Sequence, residues 1–507
     1  MANIKRKIGD AIKSDRFSAG TVTALLLAVI MALNVLLYII VELFGLYFYV
    51  EKRDDVSLTG NTDSLFAEAI SEGKKVKISF CISDTKELEQ HETGTFVYET
   101  ARYFEERYDG FVELDFINLI TKVDKNGNIV DLTKYTKDMK GNDVALKRTS
   151  VIFECGDNYR VVTDTYTSGG FAPFYTLRSD RTPTSYNGEE VMAAMICWVL
   201  EDEHKSAYFT QYHGETADIS LSNLLSCAGY YVDVIDLRKN FVPEDADLVV
   251  ISNPTGDFET AREGTDIIAE INRLDIYMQN GGNLYVSLDP YVKSLPVLEG
   301  FLAKWGIGFS TTELKDGRVV RNMVKDSTNA ITPDGFTLVT NYADDELAAV
   351  VGDKVSGYSD GDVIIREACA LDLSGAARPL LISSPSSVLE AAGDTVSTSG
   401  KYCVGAYSEI KTDKATSRVF VIPSIYLAVS DSLVSSGYSN KDFIYALLDD
   451  FYGADNMPYG CRAVIYDDQV LQNLTMGTAR IYTAIVMAVP AALVAVCVFV
   501  TVRRKNR

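Results

Sequence analysis

The 507-residue chain contains no Gly-x-x-x-x-Gly-Lys-Ser/Thr sequence, so it has no P-loop with which to hydrolyse ATP. Histidine is nearly absent. The three copies, at 91, 204 and 213, are too scattered to form a recognisable zinc pattern. The eight cysteines include no Cys-x-x-Cys and no close pair, and Cys497 lies in an apolar run, leaving an odd seven elsewhere. That spacing argues against a disulfide framework and leaves a single bridge open. Cys81, Cys155 and Cys197 sit in apolar runs and read as small buried hydrophobes. Basic charge is also scarce, with 48 Lys and Arg against 70 Asp and Glu, a formal net charge of −22. Setting aside the first 16 residues (+3), Glu42 and the last four basic side chains leaves residues 51–480 at −28. Such a surface excludes nucleic acid, which needs a basic footprint.

Long apolar runs are present at two places, Phe17–Val41 and Ile481–Val502. Each has about 20 or more residues, enough at about 1.5 Å per residue to cross roughly 30 Å of hydrocarbon. Lys5, Arg6, Lys7, Lys13 and Arg16 precede the first run. Arg503, Arg504, Lys505 and Arg507 follow the second, whereas the inner flank Glu51-Lys52-Arg53-Asp54-Asp55 is mixed. The positive-inside rule then places both termini in the cytoplasm and the middle outside the cell. A cleaved signal peptide would have a shorter apolar core and a small-residue cleavage site. Here the run ends in Leu43-Phe44-Gly45-Leu46-Tyr47-Phe48-Tyr49, an aromatic belt, so a retained anchor is expected. Glu42 can snorkel to the interface, and Pro490 suits a kinked span.

The expected organisation is a cytoplasmic tail (1–16), a first span (17–50), an N-terminal α/β ectodomain (51–185), a doubly wound α/β domain (186–310), a strand-rich continuation (311–475), a second span (476–502) and a tail (503–507). In the first ectodomain segment, strand Lys75–Ile82, helix Phe96–Tyr108 and strand Phe111–Ile117 form a βαβ opening of thioredoxin-like or similar type. Asp124-Lys125-Asn126-Gly127-Asn128 invites a calcium-loop reading, but Ile129 and Tyr135 stand where the turn glycine and bidentate glutamate belong. Asn-Gly fits a hairpin turn better. Residues 168–188 read as a connecting loop.

The next stretch is the most regular. A helix at Glu189–Leu200, begun by the dipole-compensating pair Glu189-Glu190, leads to strand Ser206–Thr210, turn Gln211–Glu215, helix Ser220–Ala228 and strands Tyr230–Ile235 and Asp247–Ser252. A helix over Thr265–Asn280 carries Ile267, Ile268, Ile271, Leu274, Tyr277 and Met278 on one face. It ends at Gly281-Gly282 before strand Asn283–Leu288. Such alternation predicts a mostly parallel, doubly wound sheet. Later come an apolar strand, Val419–Ile422, and a helix, Asp442–Phe451.

On such a sheet ligands bind beyond the carboxyl ends of strands. Three turns qualify: Tyr212-His213-Gly214-Glu215, Asn253-Pro254-Thr255-Gly256 and Asp289-Pro290-Tyr291. The candidate ligand-binding residues are therefore His213, Gly214, Glu215, Asn253 and Asp289. His213 and Glu215 have the reach of an acid/base pair. The competing reading makes Gly214 the turn residue, Glu215 or Thr216 a helix cap, and His213 a packed or backbone-bonded side chain. Asp289 before Pro290 likewise suits a turn in which the carboxylate accepts backbone N–H groups.

The ordered set of His213-Gly214-Glu215 after a strand, Asp247–Ile251 with Pro254, Gly281-Gly282-Asn283-Leu284 into Asp289-Pro290, Ile422-Pro423-Ser424 and a C-terminal apolar helix with a basic tail resembles the GldG family. These are auxiliary membrane components of ABC-type transporters, first associated with gliding motility. The resemblance covers nearly the whole chain. It implies a flavodoxin-like, amidotransferase-like ectodomain and partnership with ABC permease and ATPase subunits; the apolar runs imply contact with membrane lipid, and the residues themselves point to no cofactor, no metal and no enzymatic activity. Homo- or hetero-oligomers remain open. Amidotransferase chemistry would need a cysteine on a strand-to-helix elbow and a downstream histidine. This chain has Leu288-Asp289-Pro290 there and no histidine after His213. Two spans are too few for a transport pathway. Small residues such as Ala19-Gly20 and Ala488, Ala491, Ala492 and Ala495 are where partner helices would approach closely. The rival readings are a cell-envelope hydrolase using His213, Glu215 and Asp289, and a passive acidic scaffold.

Overall fold

A computed structural model of the chain describes residues 58–59, 62–88, 94–163, 172–177, 182–215, 219–260, 268–413, 415–435 and 437–465. Both apolar runs and both tails lie outside the described residues. Among the described residues, no helix is long and apolar enough to cross a membrane. The architecture is mixed α/β, built on two principal sheets.

The first sheet has the order β2-β1-β3-β4, from β1 (Val76–Phe80), β2 (Val112–Phe116), β3 (Val151–Cys155) and β4 (Asn158–Val162). The pair β1 and β2 is parallel, joined through helix α2 (Gly94–Arg107), as the βαβ pattern predicts; β3 and β4 add antiparallel. Alternation assigns the faces. Val76, Ile78 and Phe80 join Val151 and Phe153 in the main core with Phe66 of helix α1 (Thr62–Ser71), whereas Ile152 lies in a small opposite cluster with Cys81, Ile117 and Tyr135. The Asp124–Asn128 segment is a tight turn closed by a Val123–Ile129 bridge, with Gly127 at φ +84°. One oxygen of Asp124 accepts the N–H groups of Asn126 and Asn128, and the other accepts the Asn128 amide, so the turn itself uses the carboxylate.

The second sheet has a parallel half in the order β6-β5-β7-β8-β10: β5 (Ser206–Thr210), β6 (Tyr231–Ile235), β7 (Leu248–Ser252), β8 (Asn283–Ser287) and β10 (Thr416–Ile422). Strand β9 (Cys403–Lys411) then runs antiparallel to β10, and further antiparallel strands at 307–309, 371–373 and 377–382 extend this half. Segments 186–310 and 311–475 thus build one sheet. Ala207, Val250, Tyr285 and Phe420 face the main core; Tyr208, Val249, Leu284 and Val419 face a second core. Helix α4 (Ile219–Cys227) covers the first face through Leu221 and Leu224, and α5 (Glu270–Gln279) the second through Ile271 and Leu274. The expected start of α5 near Thr265 needs correction. Residues 265–267 lie outside the described set, Ala269 is extended, and Ile268 is exposed, so the helix proper begins at Glu270. The expected helix Asp442–Phe451 is a helix over Asn440–Ala446 continued by a π-helical turn, Leu447–Phe451.

Helix α3 (Gly188–Leu200) is buried almost throughout and packs against the first sheet. Its first turn is also where the two ends of the described chain meet. Thr59 donates to Glu189 Oε1 through its backbone N (2.7 Å) and hydroxyl (3.0 Å). At the other end, Val464 and Ile465 pair antiparallel with Tyr186 and Ser185. The neighbouring Glu190 accepts from the Tyr445 hydroxyl (2.5 Å) and pairs with Lys441 at 3.2 Å, and Lys441 donates to the Cys461 carbonyl. The dipole explanation of Glu189-Glu190 is therefore incomplete, because both carboxylates hold distant parts of the chain.

Candidate functional site

In the parallel half the chain leaves β5 toward α4 on one face and leaves β7 toward α5 on the other. Their adjacent carboxyl ends therefore diverge, the geometry that opens a crevice. The turns leaving them are Tyr212–Glu215 and Asn253–Gly256, so four of the five candidate residues lie at this point.

His213 is the centre. Its Nδ1 lies 2.8 Å from Glu215 Oε1 and its Nε2 3.1 Å from Glu270 Oε2, with the three side chains only 4, 7 and 3% exposed in that order. Phe258 stacks on the ring at 4.0 Å and 15°. Burial presses the imidazolium's pKa down, but its bonds to Glu215 and Glu270 outweigh this and hold it above the ordinary value. Burial likewise opposes ionisation of Glu215, and the bond from His213 prevails, lowering its pKa. The backbone completes the clamp. His213 N–H donates to Glu215 Oε2 (2.6 Å), and the His213 carbonyl accepts from Thr255 N (2.9 Å) and Gly256 N (2.6 Å). Gly214 has φ +72°, and a Cβ there would come within 2.0 Å of Thr255 Oγ1.

The clamp supports a backbone that sterics disfavour. Tyr212 has φ +83° and Asn253 φ +51°; positive φ is an outlier for a bulky side chain. The Tyr212 ring is exposed and stacks under the Arg238 guanidinium at 4.0 Å, while Asp236 holds Arg238 from the side. Thr210 Oγ1, Ser252 Oγ, Asn253 Oδ1 and Glu270 Oε1 are buried with no hydrogen-bond partner among the described residues. These unmet polar atoms lie where β5 and β7 end and where α5 begins, and they could be met by water or a polar ligand.

Asp289 belongs to a different constellation. Its carboxylate accepts from Tyr291 N at 2.9 Å, closing its own turn, and Arg321 donates to the carbonyls of Asp289 and Val292 and to Glu299 Oε1. No hydrogen bond or ion pair joins Asp289 to His213, Glu215 or Glu270 among the described residues. Sequence reasoning missed Glu270. Its signal was the i, i+4 relation to Leu274, which puts a carboxylate on the apolar face of α5.

All seven cysteines of the described residues are free thiols; Cys81 and Cys197 are buried as expected, and Cys155 is half-buried. Among the described residues, no group of His, Cys, Asp and Glu is placed to hold a metal ion.

No protein-family model and no curated protein matches the chain. Solved structures similar to part of it include the mmIFT52 N-terminal domain (13% identity, 48% of this chain, 96% of that one, TM-score 0.36). Others are a ThuA-like protein from Bacteroides uniformis (12%, 50% and 94%, TM-score 0.29) and PurLQS from Thermotoga maritima (11%, 49% and 99%, TM-score 0.27). Their TM-scores are too low to assign this chain a fold or function.

Proposed function

We propose that the chain is a membrane-anchored accessory subunit of an ABC-type transport system, whose extracytoplasmic α/β domain binds a substrate or envelope partner and couples it to a permease. The observation that carries this reading is the convergence of Thr59 and Val464-Ile465 on residues 185–189. A domain tethered by two adjacent membrane helices needs its chain to enter and leave at one place. The apolar runs at 17–41 and 481–502, with their basic outer flanks, supply the tethers, and the GldG resemblance supplies the partner class. The strand order β6-β5-β7-β8-β10 supports the finer, flavodoxin-like reading of the sheet.

Binding has more support than catalysis at the strand-end crevice. Both ring nitrogens of His213 are held by carboxylates, which leaves neither free to take a substrate proton, and Asp289 stands apart. Affinity purification of the full chain from mild detergent tests the reading: permease and ATPase subunits should be recovered with it. Their consistent absence would overturn it.

A further inference from the structure

A cavity of about 160 Å³ lies between the two arms of the chain. One wall is Ser64 and Leu65, just after the N-terminal arm, and another is Asn456, Met457 and Tyr459, just before the C-terminal one. The lining also includes Asp449, in the π-helical turn, and Tyr358, at the end of the helix Glu346–Tyr358. π-Helical turns inside helices are frequent at functional sites. The volume is well short of the ~300 Å³ or more of a drug-sized site and suits one small headgroup.

The lining defines the chemistry of that headgroup. None of its side chains is basic. Tyr358 and Tyr459 stack at 4.6 Å and 6°; Tyr459 is buried and Tyr358 is 37% exposed, so one ring of the pair remains open to a ligand. Asp449 Oδ2 accepts from the Tyr459 hydroxyl (2.9 Å) and from Lys354 (2.8 Å), while its Oδ1 accepts no hydrogen bond among the described residues. Lys354 also serves Asp450 at 2.6 Å, so one ammonium faces two carboxylates and a negative charge is left over. An anion would meet Asp449 directly. A positively charged nitrogen gains that carboxylate and the tyrosine face, and aromatic faces are what recognise ammonium groups. The −28 charge of residues 51–480 raises the local concentration of cations further.

We propose that the cleft between the two arms is a binding site for a small organic ammonium group, with Asp449 as its counterion and Tyr358 as its aromatic wall. The site stands on these residues and does not depend on the transporter reading, to which it would add a ligand class.

The experiment titrates the full-length chain in mild detergent with choline, ethanolamine and the uncharged choline isostere 3,3-dimethylbutanol. Calorimetry reads affinity, and amide exchange reads residues 456–465. The amines should saturate and slow exchange in the arm, and the isostere should bind at least about tenfold more weakly. Asp449→Asn should cost about tenfold in amine affinity. Because Asp449 also holds Tyr459 and Lys354, the exposed Tyr358 provides a second variant: Tyr358→Ala should weaken binding and Tyr358→Phe retain it. A parallel arm compares vesicles of phosphatidylcholine and phosphatidylglycerol. Protection by soluble amine identifies a free solute, and protection only by the choline bilayer identifies a lipid headgroup. The proposal is overturned if the isostere binds as well as choline, if Tyr358→Ala binds normally, or if neither arm responds by about 10 mM amine.

Discussion

Replacing His213 by alanine should destabilise the fold by an amount that depends on pH in a defined way. The substitution removes two charge-assisted hydrogen bonds and the Phe258 stack. It leaves Glu215 and Glu270, at 7 and 3% side-chain exposure, without the ring that both accept from. Removing one partner of a buried ionic cluster costs about 3–5 kcal/mol. The sign of the pH dependence follows from the two shifts. His213 has its folded pKa raised, so its contribution is complete below its unfolded value near ~6.5 and is lost as pH climbs through the raised one. Glu215 has its folded pKa lowered, so its contribution is present above its unfolded value near ~4.3 and fades as pH falls. The difference between wild type and His213→Ala should therefore peak between those two values and shrink on either side. Urea unfolding midpoints across pH 4 to 9, followed by near-UV circular dichroism, would measure it. The triple variant Glu215→Gln/His213→Gln/Glu270→Gln should recover a substantial part of the loss at neutral pH, since no charge is stranded. A loss below about 1 kcal/mol with a flat pH profile would refute the ionic clamp and reduce His213 to a packing residue.

Gly214→Ala should cost about 1–3 kcal/mol, from strain at φ +72° and the contact with Thr255 Oγ1. Adding Thr255→Ala should restore part of this, and no recovery would show that backbone strain dominates. Lys441→Met should lower the melting temperature by leaving Glu190, only 12% exposed, without its cation, a loss of up to about 3 kcal/mol because the Tyr445 hydroxyl still serves it. Lys441→Met/Glu190→Gln should lose less, which a thermal melt of both variants would check. Thiol labelling of the native chain should reach Cys155 first among the described cysteines, because burial pushes the thiols of Cys81, Cys369 and Cys403 up to about 12. Mass spectrometry finding Cys81 or Cys369 modified before Cys155 would contradict the burial pattern.

The parallel strands were legible to within three residues, most plainly where a short apolar run is buried on both faces: Leu248–Ser252 has no exposed position, whereas Tyr231–Ile235 exposes Asp233 and Val234. The site turns were legible for the same reason, since they follow where such runs stop. What the chain concealed were pairings between distant residues. Nothing local to Cys403–Lys411 says that it closes onto β10, or that Val464 returns to Tyr186, more than 250 residues earlier. Glu270 was hidden by the assumption of a longer helix. Starting α5 at Thr265 makes Glu270 an ordinary mid-helix residue, whereas starting at Glu270 brings its carboxylate to the strand-end turn. The paired Glu189-Glu190 shows the limit of a local explanation. The helix dipole accounts for acid at that position, but the bonds to Thr59 and Tyr445 reveal its tertiary task.

A ligand changes an equilibrium only by the difference in its affinity for the two states involved. At the strand-end crevice, His213 is fixed by Glu215, Glu270, Thr255 and Gly256 at once, so the turn is held to one arrangement. Binding there would add affinity with little conformational difference to transmit. The cleft at Asp449 differs in kind, because two of its walls adjoin the arms, one just after the N-terminal arm and one just before the C-terminal arm. Moving Ser64 and Leu65 relative to Asn456 and Tyr459 necessarily changes the cavity, so a group bound there must favour one spacing of the arms over another. The buried cluster beside it sharpens that choice. Lys441 donates to the Cys461 carbonyl, so a shifted C-terminal arm would remove one of its partners, while Glu190 keeps Lys441 and the Tyr445 hydroxyl. The arm junction therefore offers a ligand-sized space that senses the spacing of the two ends of the described chain, which the proposed coupling to a permease would require.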